Sequence, residues 1–376
     1  MRARHEVASI LRQEEDYLNN TRFNGWQLRT LFALSKCRTA ALGGHIDRCN
    51  SPKCNSLHLS YNSCRNRHCP KCQGHKTQQW IDNRSDELLP VAYYHVVFTL
   101  PSALHRLALY APKIVYNSLF KAAWGTIHGF GKNPNYIGAQ PGMISVLHTW
   151  GQNLSLHPHL HCIVPSGGVN KQGKWKHSKK REHYLFPVMA LSKVFRAKYT
   201  ALLRKSGIKD QKLFDELYKK QWVVYTKKPF KRHEAVVAYL GGYTHKIAID
   251  NHRIKGITKE QVVFSAKNYR NGGKKELLVL HPHEFIRRFS LHILPKGFVR
   301  MRHYGFLSST CKRKYLKDLQ AELQIVIGLK REITPHRICP KCKIGILKTI
   351  VTFDSRGPPK NWQTNLKNNL SKKTNA

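Results

Sequence analysis

Leu156-His157-Pro158-His159-Leu160-His161-Cys162-Ile163-Val164 alternates as a β-strand does. Successive side chains of a strand point to opposite faces, so His157, His159 and His161 share one face and Leu160 and Cys162 the other. Three imidazoles side by side make a poor core and a good site for a borderline metal ion. The plainer reading is a polar strand face satisfied by water.

Further along comes Ala235-Val236-Val237-Ala238-Tyr239-Leu240-Gly241-Gly242-Tyr243. In a helix, Tyr239 and Tyr243 stand at i and i+4 on one face. Val236, Leu240 and the two tyrosines could equally form an apolar stripe turned to a core. Two features argue for more than packing. Gly241 and Gly242 weaken a helix interior by about 1 kcal/mol each, and a basic stretch (Lys227, Lys228, Lys231, Arg232) leads in.

A His-hydrophobic-His strand followed by a tyrosine pair resembles the HUH endonucleases, and within them the two-tyrosine rolling-circle transposases of bacterial insertion sequences. Further blocks carry the same likeness: Ser63-Cys64-Arg65-Asn66-Arg67-His68-Cys69-Pro70-Lys71-Cys72, Tyr94–Pro101, Tyr239–His245, Arg288-Phe289 through His292, Leu294–Gly297 and Arg302–Gly305. The resemblance runs from about residue 25 to about residue 315. It implies an α+β fold: an HUH endonuclease-like antiparallel sheet with packed helices, preceded by a helical zinc-binding domain. Periodicity by itself shows only mixed helix and strand.

Composition agrees with a nucleic-acid partner. Lys and Arg number 65 against 21 Asp and Glu, a formal net charge of +44. That excess points to a polyanion. No apolar run is long enough to span a bilayer and no basic amphipathic helix dominates, which disfavours a membrane surface. The N-terminus Met1-Arg2-Ala3-Arg4-His5-Glu6 lacks the apolar core of a signal peptide. The expectation is a cytoplasmic protein, nucleoid-associated when bound to DNA, whose ten cysteines are thiols or metal ligands rather than disulfides.

Cys49-x4-Cys54 and Cys64-x4-Cys69-x2-Cys72 form a cluster, with His58, His68 and His75 interspersed and Cys37 and His45 upstream. Zinc takes four soft or borderline ligands in a tetrahedron. Cys49, Cys54, Cys69 and Cys72 are the expected set. Cys64 could replace a member, or join Cys37, His45, His58 or His68 in a second site. Arg65, Arg67, Lys71 and Lys76 lie between the ligands, as suits a module that touches phosphate. Cys339-Pro340-Lys341-Cys342 is half of another zinc site and needs His336, Cys311 or another partner.

Three regions are expected: 1–88, helical and zinc-binding with its cluster at 37–75; 89–325, the catalytic domain with a basic helical C-terminal part; and 326–376, a zinc knuckle and disordered tail. Helices are predicted over 3–19, from the N-cap Asn24, over about 103–128 and over Leu191–Ser206. Strands are predicted over Ala92–Leu100, Ile144–Trp150, the histidine stretch, Trp222–Tyr225, Lys246–Ile249 and Gln261–Ser265. Residues 275–330 read as basic and helical. Their rings (Phe285, Phe289, Phe298, Tyr304, Phe306, Tyr315) suit either single-stranded DNA stacking or a core.

The resemblance implies transesterification at a DNA phosphodiester: a divalent cation, Mg or Mn, on His159 and His161, and a tyrosine nucleophile leaving a 5′-phosphotyrosine. His157 is the candidate third ligand, with Gln152 or His148 as alternatives. Arg232 and Lys246 could hold flanking phosphates. The expected partner is DNA, mainly single-stranded or hairpin-bearing element ends. A replication initiator or relaxase with the same chemistry is the alternative. A zinc-dependent DNA-binding regulator without chemistry is a third reading, which leaves the histidines and tyrosines as coincidences.

Overall fold

The computed structural model describes residues 3–73, 81, 87–179, 185–227, 230, 241, 246–323 and 337–371. The chain divides into two compact units, one formed by 1–72 with 328–376 and the other by 73–327. The C-terminal residues thus fold with the N-terminal ones.

In the first unit the predicted helix over 3–19 is two helices, Val7–Gln13 and Glu15–Asn20, which break at Glu14. The helix Gly25–Ser35 starts where its sequence says it should. The Asn24 side chain accepts from the Trp26 and Gln27 amides, and Gln27 reaches back to the Asn24 amide. This reciprocal cap satisfies donors that a helix N-terminus otherwise leaves open. Val7, Ile10, Leu11, Leu18, Leu31 and Leu34 are buried. Strands β1 (Gly44–Cys49) and β2 (Leu57–Tyr61) pair antiparallel, and the strand Leu347–Phe353 adds to the other edge of β1. The tail expected to be disordered from Asp354 carries a helix, Trp362–Ser371.

The second unit is built on a seven-stranded antiparallel sheet. Its strands are β3 (Tyr93–Thr99), β4 (Gln140–Trp150), β5 (Leu156–Pro165), β6 (Gly167–Val169), β7 (Trp175–His177) and β8 (Val224–Thr226), in the order β7-β6-β4-β5-β3-β8. A smaller antiparallel sheet follows: β9 (Ile254–Ile257), β10 (Val262–Asn268) and β11 (Lys274–Leu280). The seventh strand of the main sheet, β12 (Met301–Gly305), pairs with β4. The expected α+β sheet with packed helices is what folds.

One face of the main sheet presents Tyr94, Val96 and Phe98 from β3, Met143 and Leu147 from β4, and Leu160, Cys162 and Val164 from β5. The helices Pro112–Lys132 and Val188–Lys205 pack there through Val115, Leu119, Phe120, Ala123, Phe195 and Tyr199. The long helical stretch predicted from about 103 breaks at Ala111, because a residue before proline avoids the helical region. The opposite face is apolar at one end, with Tyr93, Ile144 and Ile163, and carries histidines at the other.

Two expectations fail in the C-terminal part of this unit. Lys246–Ile249 forms no strand, and 275–330 is not helical throughout, since β11 and β12 lie within it. Of its rings, Phe285, Phe289, Phe298 and Phe306 are buried core.

Candidate metal centre and zinc module

β5 runs between β3 and β4, and the register sets which side chains meet. His159 stands opposite His148 of β4, and His161 opposite Val146. On one antiparallel face, opposite and diagonal neighbours are close enough to interact. His148, His159 and His161 each offer a ring nitrogen, and these lie within 4.8 Å of one another. Nε2 of His159 and Nε2 of His161 are 3.1 Å apart.

The third member is therefore His148, the alternative, and not His157. Between His148 and Trp150 the register slips by one residue, with the extra residue on β5 between Leu156 and His159. Pro158 lies in that bulge and has no N–H to give to a ladder. Strict alternation ends there, and His157 is exposed. Its backbone carbonyl accepts from Nδ1 of His159 at 2.6 Å. On the far side, Nδ1 of His161 is 2.9 Å from Nε2 of His95 in β3, with the two rings stacked nearly parallel. Each Nδ1 thus has a partner that favours a proton there and leaves Nε2 free to donate its lone pair, as metal-ligating histidines require.

The electrostatics keep these rings neutral. Burial holds His159 at about 4 and drives His161 far below its ordinary value, helped by the charges of its histidine neighbours. Burial, then the charge of Lys227, holds His95 at about 4. His148 is buried and stacks on Trp150 at 4.5 Å. Neutral imidazole is the form that binds a metal, so the chemistry of this donor set fits a cation.

Around the histidines, Lys246 has an exposed side chain, and its charge acts on both His159 and His161. Desolvation, then Arg253 and Lys267, lowers its own pKa. Arg253 donates to the backbone carbonyls of Ser265 and Gln152. Tyr239, Tyr243 and Arg232 lie outside the described residues.

The cysteines form two tetrads, grouped differently from the expected set. Cys37, Cys64, Cys69 and Cys72 bring their sulfurs within 4.8 Å of one another, as do Cys49, Cys54, Cys339 and Cys342. In the first tetrad, Cys37 and Cys64 lie 3.6 and 3.7 Å from Cys72. A tetrahedral ion with Zn–S bonds of about 2.3 Å places its sulfurs about 3.7 Å apart, whereas a disulfide needs about 2.05 Å. Mutual hydrogen bonding splits the four thiols, lowering Cys37 and Cys72 and raising Cys64 and Cys69, so the spacing of the sulfurs carries the assignment. The residues fit a structural zinc ion. His68 is in neither tetrad; it receives the Arg67 guanidinium at 3.4 Å. Arg65 is exposed and Arg67 half-buried. Lys71 is held by Glu6 at 2.6 Å and by the Cys37 carbonyl at 3.3 Å, so it braces the module from within.

No helix among the described residues is long and apolar enough to cross a membrane. Residues 142–314 match a family described as "Putative transposase", and residues 9–100 match a transposase zinc-binding domain. The protein named "Putative transposase y4qJ" of Sinorhizobium fredii (strain NBRC 101917 / NGR234) is 38% identical, over 96% of this chain and 98% of its own length. The transposase for insertion sequence element IS801 of Pseudomonas savastanoi pv. phaseolicola is 27% identical, over 80% of this chain and 74% of its own. No solved structure matches. The chain belongs to the IS91 family of insertion-sequence transposases, DNA-cleaving enzymes with an N-terminal zinc-binding domain.

Proposed function

We propose that this transposase nicks and rejoins single-stranded ends of its element through 5′-phosphotyrosine links, in a rolling-circle type of transposition. The observation that carries the reading is the convergence of His148, His159 and His161 on one face of the sheet. Mg or Mn held by these residues would polarise the scissile phosphate, with phosphate and water oxygens completing the shell.

The chain's own groups do the rest. The His157 carbonyl and His95 fix the ring orientations of His159 and His161. Tyr239 or Tyr243 supplies the nucleophile: its oxygen bonds to phosphorus, the P–O3′ bond breaks, and the leaving oxygen takes a proton to become a free 3′-OH. The covalent link conserves the broken bond for rejoining. A phenol titrates near about 10, so a cation and basic surroundings are needed to stabilise the phenolate as it attacks. Lys246, whose charge reaches the histidines, is a group for a flanking phosphate, and Arg65, Arg67 and Arg232 are further candidates for backbone contacts. Two tyrosines permit a second cleavage before the first end is released. The Cys37 tetrad serves as a structural zinc site, and the enzyme works in the cytoplasm on nucleoid DNA.

The test is nicking of a labelled single strand carrying the element's own ends, with Mg or Mn. His148→Ala should abolish nicking, while His157→Ala should retain it, because His157 contributes only its backbone. Full activity in a folded His148→Ala variant would overturn the assignment.

A further inference from the structure

We propose that Cys49, Cys54, Cys339 and Cys342 bind a second zinc ion that fastens the C-terminal strand Leu347–Phe353 to β1. The proposal stands apart from the nicking chemistry, and the zinc-binding match, which ends at residue 100, contains neither Cys339 nor Cys342.

The four sulfurs come from segments nearly the length of the chain apart. Cys49 and Cys342 approach to 3.6 Å and Cys54 and Cys339 to 3.8 Å. Those are the edges of a tetrahedron with Zn–S bonds of about 2.3 Å. The backbone brings them together. Cys49 ends β1 and pairs with Leu347, the first residue of the C-terminal strand, so the loop carrying Cys339 and Cys342 arrives beside it.

That loop is shaped as a ligand turn. The Lys343 amide bonds the Cys339 carbonyl at 2.8 Å, and the Cys339 amide bonds the Gly345 carbonyl at 2.7 Å. The Gly345 amide donates to the Cys342 sulfur at 3.3 Å, which stabilises a thiolate. A Cβ at Gly345 would overlap the Cys49 sulfur, so only glycine closes the turn against this tetrad. On the other side, the Ser56 hydroxyl lies 3.2 Å from the Cys54 sulfur, 3.3 Å from that of Cys339 and 2.9 Å from Nε2 of His58. The Gly345 amide and the single Ser56 proton offset part of the negative charge that four thiolates place around one dication.

Beyond its antiparallel ladder with β1, the strand buries little. None of its residues is buried, and Lys348, Thr349 and Ile350 are exposed. Its polar anchor is Asp47, buried in β1, which accepts from Thr349 at 2.7 Å and pairs with Arg337 at 3.2 Å. A metal at the Cys49 end would add to that ladder, because a bound metal contributes its binding energy directly to folding.

The test is zinc content of the full-length protein together with alkylation by iodoacetamide read cysteine by cysteine. The unmodified chain should hold about two zinc ions and protect all eight cysteines. The Cys339→Ser/Cys342→Ser double variant should keep one ion and lose protection at Cys49 and Cys54 alone. One ion in the unmodified chain, or continued protection of Cys49 and Cys54 in the double variant, would overturn the proposal. Should the double variant not fold, Co(II) loading of the unmodified chain decides. Sulfur-to-cobalt absorption that at saturation reaches about twice that of one four-thiolate ion supports the second tetrad, and absorption that saturates at the level of one such ion refutes it, since cobalt on His148, His159 and His161 adds no sulfur band.

Discussion

Replacing His95 with phenylalanine tests how the metal centre is held. Nε2 of His95 is 2.9 Å from Nδ1 of His161, and both residues are at least nine-tenths buried. With Nε2 of His161 committed to a cation, Nδ1 carries the proton and donates it to His95. Phenylalanine keeps the ring's bulk and removes the acceptor. A buried donor left unmet costs about 1–3 kcal/mol. Loss of such an outer partner typically weakens metal affinity about 10–100-fold, or about 1.4–2.8 kcal/mol at 1.4 kcal/mol per tenfold. The two estimates agree, so His95→Phe should raise the Kd for Mn by about one to two orders of magnitude. Titration of the purified protein with Mn, followed by electron paramagnetic resonance, measures it. Nicking at saturating Mn should recover to within a few-fold, since His95 touches no reacting atom. His95→Gln, which restores an acceptor, should fall between. An unchanged Kd in folded His95→Phe would refute the argument.

Other predictions concern stability. Gly345→Ala should lower Tm and zinc content together, because the added methyl group meets the Cys49 sulfur; calorimetry with metal analysis checks this. Gly305→Ala should destabilise the catalytic unit by more than about 3 kcal/mol, in urea unfolding, because its φ is +63° and its Cβ would meet the Pro141 carbonyl. Burial holds His292 at about 4, below the unfolded value of about 6.5. In that window the unfolded chain binds the extra proton, so the contribution is complete above about pH 6.5 and is lost as pH falls through about 4. The loss is on the order of 3 kcal/mol, and urea midpoints for the protein and His292→Asn should converge toward low pH.

How much of this was legible in the sequence depends on the range of the interaction. Alternation within β5 is local, so placing His159 and His161 on one face needed only the strand period. His148 required the β4–β5 register, and the bulge at Pro158 that turns His157 outward depends on the same pairing. The number of cysteines announced metal sites, but the partition into tetrads follows from β1 pairing with a strand almost 300 residues away. The Asn24 cap was readable because a helix start is decided by four consecutive residues. Strand β11 is not legible by alternation, because its exposed positions 275, 277 and 279 carry Lys, Leu and Val rather than a run of polar side chains. Asp354 opened a polar tail whose helix composition concealed. Lys71 looked like a phosphate contact until its pairing with Glu6 was visible.

The central claim is a metal-dependent phosphotyrosine, and the most direct measurement is label transfer. A single strand carrying the element's ends is labelled at its 5′ or its 3′ terminus, mixed with the transposase and Mn, and separated under denaturing conditions. The account predicts that only the 3′-labelled DNA remains on the protein, that chelator abolishes the link, and that the Tyr239→Phe/Tyr243→Phe double variant forms none. A link that carries the 5′ label, or that persists in the double variant, would contradict it.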